Sequence, residues 1–153
     1  LTHPDLVAGL VIVGSAARLG VTPEILDGLA TAFEPTVNMI VKFSWARTAP
    51  AVYRETGRRH MLAAGSQTVL ADFEACAAYT VKDRLDEITC PALVIAGGAD
   101  KMVPAKASQS LADGLPNGRY VEIDGAGHFL HFEKTAEVTA AMKPFLNTLL
   151  ASN

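Results

Sequence analysis

The sequence has only two cysteines in 153 residues, Cys76 and Cys90, which leaves no disulfide framework and no paired thiolates for a zinc site. Reduced, buried thiols in a cytoplasmic protein are the expectation. No unbroken apolar run approaches the roughly 18 residues that would span a bilayer. Basic residues do not dominate either: 13 Lys and Arg stand against 16 Asp and Glu, for a net charge of −3. That balance argues against nucleic acid or an anionic membrane as a partner. Internal repeats and low-complexity stretches are missing. So is an initiating methionine: the chain opens on Leu1 with no signal peptide before it, and is expected to be a cleaved, nicked or truncated product. Finally, none of the six serines, Ser15, Ser44, Ser66, Ser108, Ser110 and Ser152, sits in the glycine-flanked G-x-S-x-G turn that exposes a nucleophilic hydroxyl.

What is present is enough apolar material, 50% of the residues, for one domain-sized core. It is organised around an acid and a histidine. Asp100 closes the run Ala92-Leu93-Val94-Ile95-Ala96-Gly97-Gly98-Ala99, the pattern of a parallel strand buried on both faces. His128 closes a second strand pattern from Arg119 that ends in Gly125-Ala126-Gly127. A helical pattern from Val103 to Leu115 separates the two. A right-handed strand-helix-strand unit puts both strand ends on the same edge of a sheet, so acid and imidazole can meet there. Asp124 is a rival acid on the histidine's own strand. His131, with His128, Asp124 and Glu133, matches no zinc spacing, and no metal site is expected.

Leu6 to Val13 has the pattern of a further strand. Between it and Pro91 lies helical sequence: Thr22-Pro23-Glu24 signals one helix start, Thr36 is placed to cap a second helix through Trp45, Thr48 and Pro50 a third through Ala64, and Ser66 a fourth through Tyr79. Gly65 suits a helix terminus. A last helix is expected from Glu133 to Leu150, with Val138, Ala141, Met142, Phe145, Leu146 and Leu149 on one face and a kink or break at Pro144.

The string Cys90-Pro91-Ala92-Leu93-Val94-Ile95-Ala96-Gly97-Gly98-Ala99-Asp100, then Val103-Pro104, then Gly125-Ala126-Gly127-His128 with Glu133 five residues on, resembles the C-terminal half of an α/β-hydrolase. The opening from His3 to Ala16 resembles the end of the helix after that family's nucleophile turn and the strand that follows. The resemblance implies an α/β fold of about three parallel strands with flanking helices, residues 1–20 and 80–153 forming part of the core and 21–79 a helical lid over the active site. It implies Asp100 and His128 as the second and third members of a Ser, acid, His triad, with the serine upstream of this chain and no dissociable cofactor.

On that footing the complete enzyme is expected to hydrolyse a small, largely apolar ester or lactone. Relatives that act on carbon-halogen bonds, epoxides, carbon-carbon bonds or peroxide are alternatives, as is a non-catalytic assembly module. The partner of the chain itself would be the missing N-terminal half or a second copy. Ser15, at the carboxyl edge of the first strand, and Met102, Val103, Phe129 and Leu130, beside the acid and the histidine, are the expected pocket residues. Phe33, Met39, Phe43, Trp45, Tyr53, Met61 and Phe73 could line an acyl pocket or simply fill the lid's core.

Overall fold

The fold is that of a computed structural model describing residues 2–151; Leu1, Ser152 and Asn153 lie outside the described residues. Three strands, β1 (Leu10–Val13), β2 (Ala92–Gly97) and β3 (Gly118–Ile123), form one parallel sheet in the order β1-β2-β3. Leu10 pairs with Ala92 and Ala92 with Gly118. All six residues of β2 are buried, as a central parallel strand covered on both faces requires. Strand alternation divides its side chains. Leu93 and Ile95 face one core with Val11, Val13 and Ile123, whereas Ala92 and Val94 face another with Leu10, Ile12 and Tyr120.

Each face has its own cover. Helix α5 (Ala105–Gly114), between β2 and β3, lays Leu111 and Ala112 on the Val94 side together with Leu85 from a 3-10 segment (Lys82–Glu87). The final helix α7 (Thr135–Ala151) lays Val138 and Phe145 on the Ile95 side. Between β1 and β2 stand α1 (Pro23–Thr31), α2 (Phe33–Ser44), α3 (Ala51–Ala64) and α4 (Ser66–Ala78). They share a separate core of Leu29, Val37, Ile40, Val41, Trp45 and Val69, against which Met102 and Phe129 from the sheet loops also pack.

Several boundaries differ from the sequence expectation, each for a local reason. The first strand begins at Leu10, not Leu6: Pro4–Leu6 is a 3-10 turn, and Leu10 N–H donates to the carbonyl of Pro91, a residue with no N–H to continue the ladder. Thr36 does not cap α2. Its buried hydroxyl donates to the Ala32 carbonyl, four residues back within the first turn, the competing bond that threonine makes inside helices. Gly65 fills the terminus role for two helices at once, ending α3 and preceding α4 at φ +83°, a conformation open to glycine. At the C-terminal end a short α6 (Leu130–Glu133) precedes α7, the two interrupted at Lys134 with φ −138°. Helix α7 runs through Pro144 without a break, and Leu146 is exposed rather than part of the buried face.

Candidate active site

The site begins with two glycines that let loops approach backbone to backbone. A Cβ on Gly97, the last residue of β2, would collide with the carbonyl oxygens of Ala126 and Gly127, so the histidine loop can cross the strand end only over glycine. Gly14, at φ +58° after β1, would place a Cβ 3.2 Å from the His128 carbonyl and 3.5 Å from its Nδ1. The turn at Gly125, φ +67°, carries the chain back from β3. His128 is thereby brought over the carboxyl edge of the sheet.

Asp100 reaches the same edge from β2. Its Oδ1 accepts from the backbone N–H groups of Met102, at 2.8 Å, and Val103, at 2.9 Å. Its Oδ2 lies 2.9 Å from Nδ1 of His128. The Asp100 side chain is fully buried and that of His128 is 29% exposed. A carboxylate only accepts, so the shared proton sits on Nδ1 and Nε2 is left with its lone pair free to take a proton. Asp124 is exposed in the turn after β3, and Asp100 is the carboxylate that meets the ring.

Glu133 holds the histidine loop to the helical insertion. Its Oε2 accepts from Gly127 N–H at 3.0 Å and from Ala46 N–H at 3.2 Å, while His128 N–H donates to the carbonyl of Ser44 at 3.0 Å. The space for this junction exists because residue 127 is glycine: a Cβ there would meet Ala46 N and stand 2.7 Å from Glu133 Oε1. That second oxygen is buried without a hydrogen-bond partner among the described residues. His131, next to this carboxylate, has its pKa lowered, by burial first and by His128 second, with Glu133 opposing.

His128 opens on a cavity of about 690 Å³ lined mainly by carbon: Ile40, Val41, Trp45, Met61, Phe73, Met102, Phe129 and Phe132. Trp45 is part of this lining, its ring centroid 5.5 Å from that of Tyr53 and 4.6 Å from that of Phe129. Of the residues singled out from sequence, Met102 and Phe129 line this space, as do Trp45, Tyr53, Met61 and Phe73. Val103 is buried beneath the Asp100 turn, Ser15 accepts a hydrogen bond from Ser108 through its carbonyl, and Leu130 is fully buried in the core beneath α7. Phe33 packs into the core of the insertion, and Met39 and Phe43 are exposed. Sequence reasoning noted Glu133 after the histidine and Trp45 as a possible pocket residue, but gave no role to Ala46 and did not join it to Glu133. The carboxylate five residues after the histidine was visible, but nothing local revealed that its partner lies 87 residues earlier.

Two carboxyl-edge loops thus bring an acid and a histidine together beside helices α1 to α4. The family model for the alpha/beta hydrolase fold matches residues 1–135, and the chain belongs to that family. Its structure superposes on that of a thermophilic esterase with a TM-score of 0.87 at 32% identity, covering 97% of this chain and 59% of the esterase. Among curated proteins of Mycobacterium tuberculosis, it is 41% identical over 64 residues to one provisionally named non-heme bromoperoxidase BpoC, and 44% identical over 64 residues to epoxide hydrolase A. Those alignments cover 42% and 40% of this chain but only 24% and 20% of the two relatives.

Proposed function

We propose that Asp100 and His128 are the acid and base of a Ser-His-Asp triad that hydrolyses a small, largely apolar ester or lactone, the serine being supplied from upstream of Leu1. The 2.9 Å contact between Asp100 Oδ2 and His128 Nδ1, at the lip of an apolar cavity, carries this reading. Nε2 of His128 takes the serine proton as the hydroxyl attacks the acyl carbon, and returns it to the departing alcohol. Water then attacks the acyl-enzyme with the same histidine as base. Asp100, held by two backbone N–H groups, orients the ring and stabilises the imidazolium. Met102 and Phe129 would touch the acyl group. The likeness to an esterase at 32% identity supports the substrate class.

The similarity to epoxide hydrolase A favours one alternative: the same acid and histidine serving a carboxylate nucleophile. The identity of the upstream nucleophile separates the two. Hydrolysis of p-nitrophenyl acetate and butyrate tests the proposal in two forms of the protein. The 153-residue chain is expected to show no turnover that depends on His128. The form extended upstream through the nucleophile turn is expected to show saturable turnover that His128→Ala abolishes. Saturable, His128-dependent turnover by the short chain, or none by the extended one, would overturn the proposal.

A further inference from the structure

A second cleft, of about 630 Å³, shares Trp45 and Val41 with the apolar cavity as lining residues. Its lining is more polar. Lys42, Arg47, Arg54, Arg58 and Lys101 converge on it, and Glu55 is the single carboxylate among its lining residues. In a chain with 13 basic residues and a net charge of −3, five cations in one concavity are a concentration that composition does not supply. We propose that this cleft binds a small multivalent oxyanion. The inference is independent of the reaction assigned to the apolar cavity.

Four of the five cations have no carboxylate partner among the described residues, and Arg58 is the exception. Arg58 is paired, with Glu34 at 2.6 Å and Glu55 at 3.6 Å, and also donates to Asn38. Arg54 has no carboxylate partner among the described residues. Its Nη1 donates to the carbonyls of Ala49 at 2.8 Å and Ala46 at 3.5 Å, which fixes the guanidinium plane while Nε and Nη2 remain available. A guanidinium held in this way presents the fork that matches a planar or tetrahedral oxyanion. Lys42, Arg47 and Lys101 have no acidic partner among the described residues and are exposed at the rim. Like charges gathered around one concavity repel, most at low ionic strength, and an anion bound among them reduces that repulsion. The volume suits a small molecule rather than a polymer, which would need a charged stripe instead of a pit.

Trp45 is the sole tryptophan and borders the cleft, so its emission reports on occupancy. Titration of the chain with inorganic pyrophosphate at low ionic strength, followed by fluorescence and by heat of binding, is expected to saturate and to weaken as NaCl is raised. A parallel titration with citrate distinguishes a phosphate-bearing from a carboxylate-bearing ligand, and saturation by either supports the site. The triple variant Lys42→Gln, Arg47→Gln, Lys101→Gln is expected to weaken binding about tenfold or more, the scale of losing charge-assisted hydrogen bonds. Lys143→Gln, on α7, is expected to bind as the parent does. Neither heat nor fluorescence saturating with either anion, or equal affinity in the triple variant, would overturn the proposal.

Discussion

Replacing Asp100 by asparagine removes a charge and, with it, the reason His128 keeps its proton on Nδ1. An amide can donate as well as accept, so the ring is free to take the other tautomer and lose the lone pair facing the cavity. A comparable change in a well-studied serine protease lowers turnover by about 10⁴. In the upstream-extended protein, Asp100→Asn is expected to show a loss of that order, and Asp124→Asn, in an exposed turn, a change of less than about threefold. Steady-state kinetics of the two variants decides, and the reverse ranking would move the acid role to Asp124. Glu133 makes a different residue-scale prediction. Glu133→Ala leaves the buried N–H groups of Ala46 and Gly127 without an acceptor, at a cost of about 1–3 kcal/mol each. Glu133→Gln keeps one acceptor oxygen for both and should lose less. Thermal melting, together with faster amide exchange at positions 46 and 127, measures this; an unchanged melt for Glu133→Ala would show that the junction does not depend on the carboxylate.

At the scale of the element, α7 separates what period predicts from what packing selects. Val138, Ala141, Met142, Phe145 and Leu149 lie within one stripe of the helix and pack toward the sheet. Leu146 falls at the edge of that stripe and is 40% exposed, against 3% for Phe145. Phe145→Ala should therefore cost about 3–5 kcal/mol, and Leu146→Ala about 0.5 kcal/mol or less. Urea unfolding of both variants checks the difference, and equal losses would mean that Leu146 is covered in solution. The sequence pattern placed both leucine and phenylalanine on the apolar face because a helical period assigns direction, not depth. The junction between α2 and the histidine loop was beyond any such pattern. It depends on Glu133, Ala46 and Gly127, which no helical or strand period relates.

At the scale of the molecule, β1 pairs with β2 along one edge, and no strand among the described residues pairs with its other edge. Leu10 to Val13 are only partly buried, and an apolar edge with free N–H and C=O groups is a template for another strand. The chain is therefore expected to associate, with the rest of an extended protein or with a second copy. Sedimentation equilibrium should show species heavier than the 16.1 kDa chain, with dye binding that reports exposed apolar surface. A stable species of chain mass at all concentrations, with no dye binding and a cooperative melt, would mean that the edge is closed.

The strands that lead to Asp100 and His128, the helix between them and four helices after the first strand were all determined by the sequence itself. Each is written in a local alternation or period, punctuated by proline and glycine, and a parallel crossover leaves both strand ends on one side. Tertiary structure alone decided the rest. It set Asp100 rather than Asp124 against the ring, buried Leu130 and Val103 away from the cavity, and tied Ala46 to Glu133. It also brought an apolar cavity and a cleft lined by five cations together at one tryptophan. These features depend on residues far apart in the chain meeting at distances of a few ångströms, and one-dimensional periodicity carries no information about which of them meet.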